Sequence, residues 1–187
     1  WSNFFFGAMD PSGSVTLDKV PGSYWVPAAF VKVFGFSTWS VNAPNALATV
    51  GAVLLVAFAG KQLLNARAGI LAGAIVATTP VLAAVARSNQ PESFFLLAMA
   101  MVGYFGVRAF KLNSTKNLYF AALSVGLAFH FYMLEAWASI PALALAFLFT
   151  DGGRARKWLH ATLASFVAIA SSLTWTALVS LIPASAR

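Results

Sequence analysis

Three short stretches of this chain carry residues able to do chemistry. The first is Asp18-Lys19-Val20-Pro21, followed by Tyr24 and Trp25. A lysine beside a membrane neutralises a phosphate as a point charge. The neighbouring carboxylate can bind a divalent cation or fix that lysine, and Tyr24 and Trp25 suit the headgroup level. The plain alternative is a solvated loop with an aromatic anchor. The second stretch is Arg87-Ser88-Asn89-Gln90-Pro91-Glu92. An arginine and a glutamate at membrane depth cost several kcal/mol unless paired or functional. Arg87 could hold a phosphate or a sugar carboxylate. Glu92, at a helix start after Pro91, is favoured by the helix dipole. A capped, water-facing loop is the bland reading here.

The third stretch runs from Phe129 and His130 through Tyr132 to Glu135 and Trp137. His130 and Glu135 stand five apart, not the three or four that put two groups on one helical face. Only a bent or unwound helix brings both to one metal ion. Otherwise His130 is a hydrogen-bonded packing residue. His160 reads as interfacial. There is no phosphate-cradling glycine loop, no His-x-x-x-His and no Ser-His-Asp order, so nucleotide-binding, zinc-protease and hydrolase readings find no support. Without cysteine, disulfides and thiolate metal sites are excluded.

The elements that must position these groups are membrane helices. Of 187 residues, 60% are hydrophobic and 9% charged, against about 25% charged in a soluble domain. So small a core cannot hide that much apolar surface, and lipid must cover it. Residues 1–41 are mixed and read as an outer loop, with Tyr24 to Phe36 as an interfacial or re-entrant helix interrupted by Pro27 and Lys32. The bundle occupies 42–187, with six candidate spans at 42–62, 67–86, 92–111, 117–134, 136–150 and 158–181. Small residues are frequent in them, as close helix packing in lipid requires. The chain opens at Trp1 and ends just past an apolar run, and is read as part of a longer protein.

The net charge of +7 is split among short clusters, a pattern of membrane orientation and not of nucleic-acid binding. Lys61, Arg67, Arg108, Lys111, Lys116, Arg154, Arg156 and Lys157 fall on one side; Lys19, Lys32, Arg87 and Arg187 fall on the other. The positive-inside rule makes the first set cytoplasmic. Asp10, Asp18, Glu92 and Glu135 then lie outside and only Asp151 inside. The chemistry is expected on that outer, acid-bearing face.

At these stretches the chain resembles a family. Asn3-Phe-Phe-Phe-Gly-Ala-Met-Asp10 through Asp18-Lys19-Val20-Pro21-Gly-Ser-Tyr24-Trp25 is similar to the first outer loop of bacterial family 39 glycosyltransferases. These are GT-C membrane enzymes akin to protein O-mannosyltransferases and the lipid A aminoarabinose transferase. The family motif is Asp/Glu-Lys-Pro-Pro before an aromatic pair; this chain keeps the acid, the lysine and the second proline. Phe34-Gly35-Phe36-Ser37 before Trp39, and Arg87 to Glu92, also fit. The resemblance implies an all-α, polytopic bundle. It also implies transfer of a sugar from a polyprenyl-phosphate donor to a lipid, glycan or protein acceptor on the outer face.

By the resemblance, Lys19 contacts the lipid-linked phosphate and Asp18 holds the acidic position that helps bind a divalent cation. Glu92 matches an acid after the third span, where the family more often has Asp. Close relatives are expected to carry Lys and Gln at Tyr132 and Glu135. The acid usually cited as base is expected before Trp1. Together the two lines of reading make Asp18 and Glu92 the candidate catalytic residues. Lys19, Arg87 and Tyr24 are the candidate binding residues, and Asp18, His130 and Glu135 the candidate metal ligands. A transporter or flippase of lipid-linked sugars is the rival; it favours paired interrupted helices, and no internal repeat is visible.

Overall fold

The computed structural model describes residues 20–181. Asp10, Asp18 and Lys19 lie outside the described residues, so their expected roles receive no structural account. Among the described residues every regular element is a helix. Helix α1, Gly22–Phe34, corresponds to the expected interfacial segment and stops at Gly35, whose φ of 77° suits a residue without Cβ. Ser37 and Ser40 then form a reciprocal capping box that starts α2, Thr38–Leu63. Asn65 caps α3, Ala66–Thr78, by accepting from the Ala68 amide at 3.0 Å. Helix α5, Glu92–Lys111, carries its acid in the first turn and Arg108 and Lys111 in the last, matching the helix dipole.

The six expected spans differ in continuity. Residues 42–62 and 92–111 lie within the single helices α2 and α5. Residues 67–86 are instead two pieces, α3 and α4, Pro80–Val85. Pro80 cannot donate its missing N–H to the helix, and the Thr78 and Thr79 hydroxyls donate to Ala74 and Ile75 carbonyls beside the break. Residues 158–181 fall in α8, Arg154–Ser172, and α9, Thr174–Ser180, which are bent by 47°. By length and composition three stretches can cross a membrane, Thr38–Leu63, Glu92–Lys111 and Thr115–Leu148, or four if the bent pair counts as one.

Thr115–Leu148 contains α6, Thr115–Tyr132, a 3-10 helix, Met133–Ala138, and α7, Ser139–Leu148. A straight helix of 34 residues would hold its ends about 51 Å apart. Yet Asn113, before α6, donates to the Asp151 carbonyl, and Thr150 donates to the Asn113 side chain at 3.0 Å. The stretch therefore doubles back at Met133, whose φ of 51° breaks the helical path. It runs as two antiparallel segments, of which Ser139–Leu148, with 10 residues, is too short to cross a bilayer alone.

Cross-contacts set the remaining directions. Gly60 and Gly69 face each other so closely that a Cβ on Gly60 would lie 3.1 Å from the Gly69 Cα, which makes α2 and α3 an antiparallel hairpin. Thr49 donates to Ser93 at 3.4 Å, and Gln62 hydrogen-bonds Tyr104, so α2 and α5 run parallel. Phe105 packs on Phe120 and Phe94 on Phe131, so α5 and α6 are antiparallel. The pairs Tyr119–His160 and His130–Thr174 align α6 with α8 and α9. The core is made mostly of small and aromatic residues such as Ala98, Ala121, Ala128, Phe94 and Phe129. Large side chains such as Ile70, Ile75, Phe149 and Phe166 point outward, the inverse of a water-soluble bundle.

This arrangement has two chemically distinct ends. The α2–α3, α5–α6 and α7–α8 connections gather the eight clustered basic residues at one end. The α4–α5 connection, the start of α1 and the Met133 turn meet at the other, with Arg87, Glu92 and Glu135.

Candidate functional site at the acidic end

Helix α1 enters this end against α6. Gly22 is buried with its Cα facing the His130 backbone, and it leaves no room for a side chain. That contact sets Ser23 and Tyr24 over a cavity of about 230 Å³. Val20, the residue that follows Lys19 in the chain, lines it with Ser23 and Tyr24. Pro91 closes one side, while Phe131, Tyr132, Met133 and Glu135 supply the rest. Tyr132 is held by ring packing on Phe95, at 5.3 Å between centroids.

Directly beside it lies an apolar groove of about 310 Å³, lined by Val26, Phe30, Leu47, Phe94, Leu97 and Phe131 among others. Phe131 lines both spaces. A carboxylate-bearing pocket and an open hydrocarbon channel thus share a wall.

The break at Met133 explains what becomes of the third stretch. A bend does occur between His130 and Glu135, but it separates them. His130 lies before the break, with Nδ1 2.7 Å from the Gly126 carbonyl and Nε2 3.2 Å from the Thr174 hydroxyl. Both ring nitrogens are occupied, and His130 is absent from the cavity lining. Glu135 lies after the break, exposed on the cavity wall. Among the described residues no three His, Cys, Asp or Glu side chains gather as a metal group. Asp18, the third expected ligand, lies outside them.

Tyr24, expected as a headgroup anchor and a binding residue, lines the same cavity as Glu135. Arg87 is exposed at the same end, outside the cavity lining. Glu92 opens α5 next to Pro91, half-buried, and its Oε2 is buried without a hydrogen-bond partner. A polar oxygen buried without a partner costs free energy. Sequence reasoning missed Ser23 and Phe131. Their neighbours Tyr24 and Tyr132 drew attention, but nothing in the pattern marked the serine or the phenylalanine.

Residues 18–180 match the family described as dolichyl-phosphate-mannose-protein mannosyltransferase. The chain belongs to this family. It is also similar to two Bacillus subtilis (strain 168) proteins described as candidate mannosyltransferases. It is 34% identical to YycA over 99% of its length and 34% identical to YkcB, again over 99%. The chain spans about a quarter of each, 27% and 26% of their lengths. No solved structure matches it. The family membership accords with the membrane-glycosyltransferase resemblance of the outer loop.

Proposed function

We propose that the protein is a membrane glycosyltransferase of GT-C type that takes a sugar from a polyprenyl-phosphate donor on the outer face of the membrane. The observation that carries this reading is the pairing of the Glu135 cavity with the apolar groove across Phe131. A polyprenyl donor needs both environments at once: hydrocarbon for its chain and a polar chamber for its sugar phosphate. Glu92 and Glu135 lie at the end opposite the eight basic residues, which under the positive-inside rule is the outer end. Mannose is the sugar to test first, because the family description and both relatives name it.

In the reaction the acceptor hydroxyl oxygen attacks the anomeric carbon, the bond from that carbon to the phosphate oxygen breaks, and polyprenyl phosphate leaves. A carboxylate takes the hydroxyl proton. Glu92 and Glu135 are the described carboxylates at this end; Asp18 remains a candidate from the sequence. Lys19 and Arg87 are assigned to the phosphate charge.

The test is mannose transfer from polyprenyl-phosphate mannose by the full-length protein in membranes. Leu47→Trp fills the groove and should raise the KM for the lipid donor. Glu135→Gln removes the cavity carboxylate and should lower kcat. Unchanged transfer by both variants, with protein level matched, refutes the assignment of this cavity and groove.

A further inference from the structure

The basic end holds a second polar cavity that sugar transfer at the acidic end does not use. It measures about 140 Å³ and lies where the α5–α6 and α7–α8 connections meet. Asn113 and Gly152, both with positive φ, at 47° and 130°, fold these connections over it. Arg156, Lys157 and His160 reach it from the first two turns of α8. Gly153 caps that helix without a side-chain hydrogen bond, so free amides and the positive dipole end face the same region.

Lys157 is the unusual group. It is only 7% exposed, so its stem is packed and its ammonium meets open space over a small area only. Among the described residues no hydrogen bond or ion pair holds its ammonium. Among the described residues the buried side-chain polar atoms without partners are Asn45 Oδ1 and Glu92 Oε2, so the lysine nitrogen itself reaches open space, and the space Lys157 lines is this cavity. Asp151 also lines the cavity, but its side chain is exposed and forms no ion pair with Arg156 or Lys157. His160 is oriented through its Nδ1, 3.0 Å from the Tyr119 hydroxyl.

We propose that this cavity binds the phosphate of an anionic phospholipid headgroup. A phosphate would supply the buried lysine with its missing counter-charge and take hydrogen bonds from the free α8 amides. The lipid source is favoured over a soluble phosphate by what adjoins the cavity in the chain. Phe149, Trp158 and Leu159 are largely exposed apolar residues placed next to it, the setting of a membrane interface.

The experiment uses the full-length protein in detergent, titrated with phosphatidylglycerol, phosphatidylcholine or inorganic phosphate and read by native mass spectrometry. The wild type should retain phosphatidylglycerol. Lys157→Met should retain it about tenfold more weakly, a loss on the scale of one charge-assisted contact. Lys157→Arg should recover most of the binding, and phosphatidylcholine should show no dependence on residue 157. Should Lys157→Met aggregate on size exclusion, the exposed Arg156→Gln carries the test, with a fall of about fivefold, the worth of one surface charge. Binding of inorganic phosphate but not phosphatidylglycerol overturns the lipid source. Equal retention of phosphatidylglycerol by the wild type, the soluble Lys157 variant and Arg156→Gln overturns the site.

Discussion

Gly22→Ala is the sharpest probe of how the candidate site is held. The added Cβ would run into the carbonyl oxygen of His130, with the carbonyl carbon at 3.0 Å and the His130 Cβ at 3.1 Å. The obstacle is backbone, so no change of rotamer relieves it. Helix propensity favours alanine by about 0.5–1 kcal/mol. Overpacking costs about 1–3 kcal/mol, and here it wins, for a net loss of roughly 1–2 kcal/mol. The matched control is Gly103→Ala, inside α5, where an added Cβ meets nothing within 4 Å and the propensity gain survives. Thermal unfolding of the full-length protein in detergent should place Gly22→Ala below the wild type and Gly103→Ala at or above it. Transfer should fall for Gly22→Ala alone, because shifting α1 moves Ser23 and Tyr24 off the cavity. If the two variants melt together and both transfer at the wild-type rate, α1 does not rest on α6 in the way described.

Glu92→Gln should keep or raise the melting temperature while lowering transfer, since it removes a carboxylate whose Oε2 is buried without a partner; a lower melting temperature would show that the charge is compensated. Asn45→Leu should stabilise the α2–α5 contact, because Asn45 is fully buried with Oδ1 unpartnered and only a 3.3 Å bond from its amide to Val41; a clear drop in the melting temperature would refute this. Trp137→Phe should cost about 1 kcal/mol by losing the 3.0 Å bond from the indole N–H to the Ser172 hydroxyl, measured as a lower melting temperature with donor KM unchanged. Glu135→Gln should lower kcat by about a hundredfold if this group takes the proton, at an unchanged melting temperature because it is exposed.

The ends of α5 were legible because each carries its own signal: Pro91 and Glu92 at the start, Arg108 and Lys111 at the finish. The charge clusters likewise separated the two ends of the bundle, since charge must leave the hydrocarbon wherever the helices stop. The break within 67–86 was also marked, by Pro80, although a proline in an apolar run is equally compatible with a kinked continuous span. The Met133 turn had no such mark. Methionine is an ordinary helix former, and its positive φ is imposed by the return of α7 onto α5, α6 and α8. Helical spacing tells which residues share a face only while the helix continues. At residue 133 it stops, so counting from His130 to Glu135 could not say that one would turn to α9 and the other to the cavity. The same holds for Lys157. In sequence it is one cation among eight, and its burial follows from the α5–α6 connection folding over the start of α8. The groups hardest to place from the sequence are those whose environment a distant segment makes: Glu135 by α1, and Lys157 by Asn113. Their residue types marked charge at each end of the bundle; only the closing of the loops says which carboxylate lines the one cavity and which buried lysine lines the other.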